Sequence, residues 1–306
     1  MIPPSHGFVK VPRAAPRGRT GQPLNRREPP PYWIPEGVYS PMTEYRDSPA
    51  AEFWESFFSY VQRFPFPAEE VREAATLKVD HTLRVADSSL AIAQELSLPP
   101  RELLLVETSA IFHDLGRFPQ LHRYNTFRVS LSQDHALLGY RALKREDFLK
   151  GLMPEEKNGI YQAVLLHNRL SIPEAVPERV KILRDADKLD VLGVLVELYL
   201  SPAKNPLVAL ELPENPGYNP ALLAGFREHH SSSFQNLTCL NDLRLGHLSW
   251  VFDISYPWTL REILRREYLE TLLSLLPKDG GTQEAREAVD TELIRRLGIG
   301  LKESRP

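Results

Sequence analysis

The chain has 306 residues and a formal net charge of −3, with 42% hydrophobic and 25% charged residues. This length suits one large or two ordinary globular domains, and the charge balance gives no general reason to expect nucleic-acid binding. A single cysteine excludes an internal disulfide and favours a reducing compartment. Without a bilayer-length apolar run or the apolar core of a secretory signal, we expect a cytoplasmic protein and no membrane partner.

Residues 1–48 differ in composition from the rest of the chain. Prolines recur along this stretch, and lysine and arginine occur without any acidic residue up to Arg27. Because proline removes a backbone donor and resists helix formation, we predict a disordered or extended arm. Two interpretations stay open: a solvated leader, or a docking arm that binds an acidic surface or a partner subunit. The second interpretation leaves a homo-oligomer open.

A helical pattern begins at Ala50, where aromatic residues recur at helical spacing up to Phe64. We interpret this stripe as part of the core. The second predicted helix, residues 67–98, has His81 on the same face as its apolar residues. A lone histidine there would usually be a satisfied core residue, but other metal-competent residues follow on later helices.

The third predicted helix, residues 101–115, ends in the doublet His113-Asp114 after an apolar run. Gly116 is placed to end this helix as a C-cap residue, and Arg117 follows it directly. Burying an imidazole and a carboxylate among apolar residues is costly unless something satisfies them, and a metal ion does so well.

The stretch after this doublet, residues 118–130, is polar and aromatic, and we expect it to be a loop that faces a substrate. Its predicted substrate-binding residues are Tyr124 and Thr126. Three more helices follow, and each carries a polar residue at an inward-facing position. These residues are His135 near the start of residues 133–149 after a capping Ser132, His167 on the helix that begins at Pro154, and Asp187 in residues 177–200. Asp190 recurs at helical spacing after Asp187, so one of these two acids can face inward.

Beyond residue 200 the sequence alternates proline-rich loops with apolar helical patterns. Two patterns stand out, one over residues 245–252 and one over residues 260–275. We expect these helices to wrap the preceding ones, so that a helical core together with its wrapping C-terminal helices covers residues 49–278. The last stretch, residues 279–306, contains a weak helical pattern and is predicted to be a loosely attached tail.

His81, His113-Asp114 and Asp187 follow one another in the chain, the first two on neighbouring predicted helices and Asp187 on a later one. This set resembles the HD superfamily of metal-dependent phosphohydrolases, whose pattern is a histidine, a His-Asp doublet and a later aspartate. The sequence His-Asp-Leu-Gly-Arg, ending at Arg117, is close to the family's His-Asp-Ile-Gly followed by a basic residue. The resemblance implies an all-α, HD-domain helical bundle over about residues 71–200, with additional C-terminal helices.

His135 and His167 look like the extra histidines that build a second metal position in several HD branches, including the HD-GYP phosphodiesterases. The His-His-Glu signature of that branch is replaced here by Leu166-His167-Asn168, and no Gly-Tyr-Pro follows. We therefore expect a bacterial HD-domain protein that is related to the HD-GYP branch but distinct from it.

Neutral histidines with carboxylates suit Mn, Fe, Co, Ni or Zn better than calcium, so we predict one or two divalent transition metal ions as cofactor. Asp114 can bridge two ions and is the residue most closely tied to catalysis. Bound ions make hydroxide available near neutral pH and can hold a phosphoryl oxygen beside it. Arg117 and Lys188 are the predicted catalytic cations and substrate-binding residues, with Arg84 behind them.

These observations predict an enzyme that hydrolyses a phosphoester, with a nucleotide or a similar small phosphorylated metabolite as substrate. Three alternatives stay open. The six predicted ligands also resemble the di-iron HD-type oxygenases. The chain could instead be a regulatory protein that binds a nucleotide or a metal without turnover. It could also be a docking protein that acts through residues 1–48.

Overall fold

The structure is a computed structural model, and it describes residues 48–201, 205–210, 212–232, 234 and 237–301. The described residues contain helices and no β-strand, which confirms the predicted all-α class. Apart from Ser48, the predicted N-terminal arm lies outside them. None of their helices is both long and apolar enough to cross a membrane.

The helices of the described residues follow one another in the chain with short connections in the first two thirds. The α-helices are α1 (Ala51–Val61), α2 (Glu69–Glu95), α3 (Pro100–Phe112), α4 (Arg117–Tyr124), α5 (His135–Glu146), α6 (Pro154–Leu166), α7 (Glu178–Leu200), α8 (Leu223–Arg227), α9 (Leu240–Leu248), α10 (Pro257–Arg265), α11 (Tyr268–Ser274) and α12 (Gly280–Leu297). Short 3₁₀ helices lie at Val129–Leu131, Pro220–Leu222 and Ser249–Asp253.

The long helix α2 is the centre of the N-terminal bundle. It packs against α3 and α7, while α6 packs against α3, α5 and α7. Val85 and Ile92 of α2 are fully buried, as the helical face that they share predicts. Because His81 lies on that same face, it is carried into the interior of the bundle.

The aromatic face of α1 packs onto this bundle. Phe53 contacts Phe112 at the end of α3, and Phe57 contacts Phe118 in α4, both edge to face. The indole Nε1 of Trp54 donates a hydrogen bond to the buried carboxylate of Glu107 at 2.9 Å. The interpretation of this aromatic stripe as core is confirmed.

Helix α7 contributes to two separate hydrophobic clusters. Its first half packs in the cluster formed with α1 to α6, through residues such as Ile182 and Ala186. Its second half packs in the C-terminal cluster, through residues such as Leu192 and Val196. The segment around Asp187 therefore lies where the two clusters meet.

The C-terminal helices differ from the predicted pattern in two ways. Residues 260–275 form two helices, because Glu267 adopts a left-handed conformation with φ of 55° that breaks the helical ladder between α10 and α11. Helix α12 is longer than the predicted weak helix. It begins at Gly280 behind a capping Asp279, and its residues Ala285, Val289 and Leu293 are fully buried in the C-terminal cluster.

Two predicted helix ends near the His-Asp doublet are wrong. Gly116 has φ of −70° and precedes α4, so it is not a left-handed C-cap of α3. Its lack of a side chain matters for packing, since a Cβ there would lie 2.0 Å from the carbonyl oxygen of His135. The cap of α5 is Asp134, whose side chain accepts a hydrogen bond from the amide of Ala136, and not the predicted Ser132.

Candidate metal centre

Six side chains that the sequence placed on five separate segments converge in the bundle. They are His81 in the middle of α2, His113 and Asp114 directly after α3, His135 at the first position of α5, His167 directly after α6, and Asp187 in the middle of α7. Asp187 is partly exposed and the other five are buried. We describe them as a first half-site (His81, His113 and Asp187) and a second half-site (His135 and His167), with Asp114 shared.

In the first half-site the imidazoles of His81 and His113 face each other, with their Nε2 atoms 3.1 Å apart. The Oδ1 atom of Asp187 lies 3.2 Å from Nε2 of His81 and 3.9 Å from Nε2 of His113. Two nitrogen atoms and one carboxylate oxygen thus surround one point.

In the second half-site the Nε2 atoms of His135 and His167 are 3.0 Å apart. Both rings are buried, but no second carboxylate completes this pair within ion-pairing distance of the two Nε2 atoms among the described residues. The second half-site therefore has two imidazole nitrogen donors, as the first does, and one carboxylate fewer.

Asp114 presents one oxygen atom to each half-site. Its Oδ2 lies 3.5 Å from Nε2 of His81 and 3.8 Å from Nε2 of His113. Its Oδ1 lies 3.3 Å from Nε2 of His135 and 3.7 Å from Nε2 of His167. A carboxylate placed in this way can bridge two ions, one on each oxygen.

Helix ends orient two of the four imidazoles. The last carbonyl groups of a helix have no partner within the helix, so a residue directly after it can use them. Accordingly, Nδ1 of His113 donates to the carbonyl of Ala110 at 2.7 Å, and Nδ1 of His167 donates to that of Val164 at 2.8 Å. Since a carbonyl can only accept, Nδ1 carries the proton and Nε2 turns its lone pair into the cluster.

The other two imidazoles do not lie directly after a helix, so they cannot be oriented in this way. His81 is in the middle of α2, where the carbonyls are already bonded, and its Nδ1 lies 2.7 Å from Oδ2 of Asp190 on α7. His135 is at the start of α5, and its buried Nδ1 has no hydrogen-bond partner among the residues that the structure describes. The nearest carboxylate oxygen to that atom, in Asp134, is 4.0 Å away. Three imidazoles thus have a hydrogen bond at Nδ1, and the contact that His135 makes is through Nε2.

The facing Nε2 atoms of His81 and His113 indicate whether these residues fit a metal ion. In the first half-site both Nδ1 atoms donate to acceptors, so two Nε2 lone pairs face each other at 3.1 Å. Two such lone pairs repel unless a proton or a metal ion lies between them. Imidazole nitrogen and carboxylate oxygen are the donors that divalent transition metals accept. The residues present therefore fit the predicted metal.

Burial and charge set the protonation of the cluster. Burial lowers the pKa of His113 to about 4, so this histidine is neutral at physiological pH. Burial and the Lys78 ammonium lower the pKa of His81. The hydrogen-bonded carboxylates of Asp187 and Asp190 raise it by more, so the net shift of that pKa is upward.

Asp114 is ionised although it is buried. Burial raises the pKa of this carboxyl, but the cations of Lys78 and Arg117 hold it well below its usual range. Nζ of Lys78 donates to Oδ2 of Asp114 at 2.8 Å, and Nε of Arg117 lies 3.3 Å from Oδ1. The guanidinium of Arg117 is held by the carbonyl of Phe127 at 3.0 Å.

The sequence reasoning placed Arg117 at the cluster and overlooked Lys78. The signal was present, because Lys78 precedes His81 by three residues and therefore shares its face of α2. Asp190 was considered only as an alternative to Asp187. In the structure both aspartates reach His81, Asp187 through Nε2 and Asp190 through Nδ1.

The remaining predicted substrate-binding residues do not join the cluster. Arg84 forms a two-point ion pair with Asp190. Lys188 donates to the carboxylate of Asp253. Tyr124 lines a separate depression formed mainly by α1, α4 and α5, and the hydroxyl of Thr126 accepts a hydrogen bond from the backbone of its own loop.

A cavity of about 460 Å³ opens beside the cluster. His167 and Asp187 form the part of its wall that belongs to the cluster. Lys188 lines it further out, and Phe234 and Trp250 from the C-terminal region supply an aromatic wall. Because both half-sites contribute to the wall, a small molecule in this cavity can reach either.

A set of four histidines and two aspartates, all buried except Asp187, lies in an all-helical bundle and defines a protein with a candidate metal site. Residues 79–192 match the family model of the HD domain, and this range contains all six residues of the cluster. The chain therefore contains an HD domain, as the resemblance predicted. Comparisons with curated proteins and with solved structures gave no significant match. The distinction from the HD-GYP branch stays a prediction.

Proposed function

We propose that this protein is a metal-dependent hydrolase that cleaves a phosphoester in a small phosphorylated metabolite such as a nucleotide. The observation that supports this proposal best is the position of Asp114. One of its oxygens faces each pair of histidines. A pair of divalent ions held in this way is a common arrangement in enzymes that displace a group at phosphorus.

The balance of charge around the cluster supports an anionic substrate. Without metal, the carboxylates of Asp114 and Asp187 are matched by the nearby cations of Lys78 and Arg117. Each divalent ion then adds two positive charges. A phosphoester anion compensates such a charge and a neutral substrate does not, because the surroundings are buried and screen charge poorly.

The residues of the chain would share the work as follows. When bound, divalent ions supply Lewis acidity and an acidified water nucleophile. The backbone hydrogen bonds of His113 and His167 keep their Nε2 atoms directed inward without rearrangement. Lys78 and Arg117 hold Asp114 in its ionised form and place positive charge where a phosphoryl group gains negative charge.

The cavity beside the cluster supports a small substrate. Its volume of about 460 Å³ lies within the usual range for sites that hold a metabolite. The aromatic wall of Phe234 and Trp250 offers a flat apolar surface, as the ring of a nucleotide base requires. Arg169 lies at the same cavity, where its guanidinium pairs with Asp134 at 2.8 Å and half of its side chain is exposed.

The test combines metal analysis with a phosphoester panel. Purified full-length protein is stripped of metal, reloaded separately with Mn, Fe, Co, Ni or Zn, and assayed with phosphomonoesters and phosphodiesters, nucleotides included. We expect turnover that requires metal and that falls strongly in Arg117→Ala while metal stays bound. Metal binding without hydrolysis of any phosphoester would overturn the proposal. Oxygen consumption by the iron-loaded protein would then favour the di-iron oxygenase.

A further inference from the structure

The Nδ1 partner of His81 sets this histidine apart from the others in the cluster. His113 and His167 are oriented by a carbonyl three residues earlier in their own chain segment. His81 has no such carbonyl free, because it lies twelve residues inside α2. Its orientation depends on a side chain from another helix, the carboxylate of Asp190 on α7.

Asp190 is itself held by an arginine. Nε of Arg84 donates to Oδ1 of Asp190 at 2.5 Å, and a terminal nitrogen of the same guanidinium donates to Oδ2 at 3.0 Å. This two-point contact fixes the plane of the carboxylate. Since Oδ2 also accepts the hydrogen bond from His81, fixing that plane fixes the direction of the imidazole.

The spacing along the two helices explains why the contact forms. Arg84 follows His81 by three residues on α2, and Asp190 follows Asp187 by three residues on α7. Residues three apart share a helix face, so α2 and α7 meet through two successive pairs. The inner pair, His81 with Asp187, belongs to the first half-site, and the outer pair, Arg84 with Asp190, lies behind it.

We propose that Asp190 and Arg84 are positioning residues that orient His81 for metal binding at the first half-site. Neither residue would touch the ion. Asp190 would hold the Nδ1 proton of His81 and thereby direct the Nε2 lone pair into the cluster, and Arg84 would hold Asp190. The inference rests on the metal site of the proposed function, but it does not depend on which substrate that site acts upon.

A purely structural role for the same ion pair is the alternative, and the chain offers a matched control. Arg101 on α3 makes a two-point ion pair with Glu156 on α6, with both distances 2.7 Å. The side chains of Arg84 and Arg101 are almost equally exposed, 49% and 51%. The Arg101 pair also joins two helices of the bundle, but it does not touch the metal ligands.

The experiment compares Arg84→Gln with Arg101→Gln in the full-length protein. Metal-free samples are titrated with Co²⁺, and the affinity, the number of ions bound and the visible spectrum of the bound ion are recorded, together with the thermal midpoint. We expect Arg84→Gln to weaken the tighter ion about 10- to 100-fold and to change its spectrum, as is usual for groups that orient a ligand histidine. Arg101→Gln should leave both unchanged, and Arg84→Lys should recover part of the affinity.

Three results would contradict parts of this argument, and they can be told apart. If Arg84→Gln binds both ions like Arg101→Gln, the positioning role is overturned and the proposed function is not. If the unmodified protein binds no Co²⁺, the proposed function itself fails. If Arg84→Gln does not fold, Asp190→Leu replaces it, because leucine has a similar size and offers Nδ1 of His81 no hydrogen-bond acceptor. Unchanged affinity in that variant would also overturn the proposal.

Discussion

The two half-sites share the carboxylate of Asp114, and each has two imidazole nitrogens of its own. Their surroundings differ. The first half-site adds a second carboxylate, Asp187, and both of its histidines have a hydrogen-bonded Nδ1. Within the described part of the chain, the second half-site has no carboxylate of its own, and Nδ1 of His135 has no hydrogen-bond partner. The two half-sites thus have similar ligands but differ in the number of carboxylates and in the hydrogen bonds that orient their histidines.

This difference concerns affinity more than geometry. An ion gains more from two carboxylates than from one, because each carboxylate adds a unit of opposite charge in a buried place. An imidazole that is already oriented loses less freedom when it binds. We therefore expect the first half-site to fill first and the second to fill at higher metal concentration.

We expect the largest effect from a substitution of Asp114, the carboxylate that the two half-sites share. Asp114→Asn keeps the shape of the side chain but loses the charge that faces both pairs of histidines. We expect this variant to fold, to lose metal from both half-sites, and to lose more than about 10³-fold in phosphoester turnover, beyond the effect of one lost transition-state hydrogen bond. Metal analysis and the phosphoester assay measure the two losses.

Near-normal hydrolysis by Asp114→Asn would contradict both the proposed function and the comparison of the half-sites. A matched substitution is Asp134→Asn, which changes a nearby carboxylate that caps α5 and pairs with Arg169. This control should keep at least the ion of the first half-site.

The next largest effect comes from substitutions that each remove a ligand from only one half-site. In His135→Gln we expect one ion per chain, bound with nearly unchanged affinity, because the first half-site is intact. In His113→Gln the tight ion should be weakened by about 100-fold or more, since a directly bound ligand is lost. Calorimetric titration with Mn²⁺ or Co²⁺ gives both numbers. Equal losses in the two variants would show that the half-sites are equivalent and would refute the expected order.

A change in pH should reduce the difference between the half-sites. Metal binding requires an unprotonated Nε2 on His81, and the carboxylates of Asp187 and Asp190 raise the pKa of this histidine above its usual value. As pH falls below that pKa, a proton competes for the nitrogen, and affinity at the first half-site should drop about tenfold per pH unit. Burial lowers the pKa of His135 well below its usual value, so this residue adds no such competition near pH 6.

The measurement is a series of metal titrations from pH 7.5 to pH 5.5. The tighter affinity should weaken more steeply than the other as pH falls. A tighter affinity that did not vary across this range would mean that His81 is already neutral in the metal-free protein.

We expect the smallest effect from a substitution of Gly116, which changes the packing of α5 and no metal ligand. A Cβ at Gly116 would lie 2.0 Å from the carbonyl oxygen of His135 and 2.5 Å from the amide nitrogen of Gly139, so α5 must move in Gly116→Ala. We expect a loss of about 1–3 kcal/mol in the free energy of unfolding. Metal should be lost from the second half-site before the first. Urea denaturation and metal titration test the two parts, and unchanged stability would show that α5 moves freely.

Much of this centre could be predicted from periodicity alone. His81 and Asp187 occupy apolar faces of long helices, and such faces are buried whatever the partner helix is. The doublet His113-Asp114 ends an apolar run, so both side chains had to enter the core. The order in which these residues occur along the chain, on separate helices, was enough for the HD resemblance, which the family match over residues 79–192 confirms.

Other features depend on contacts between distant segments. The continuous apolar pattern over residues 260–275 gave no sign of the break at Glu267, because a single left-handed residue changes the path of the chain without interrupting the pattern. The burial of α12 also follows from the surface it meets, since its own sequence is mostly polar. Whether residues 1–48 act as a docking arm stays a prediction.

The sequence by itself determined which side chains enter the bundle, because helical periodicity decides burial residue by residue. Only the tertiary structure decided how those side chains are divided and oriented. It placed one oxygen of Asp114 toward each histidine pair, brought Lys78 to the same carboxylate, and gave His81 a partner in Asp190. The physical reason is that hydrogen-bond partners and carboxylate orientation depend on the distance between helices, which no pattern within one helix records.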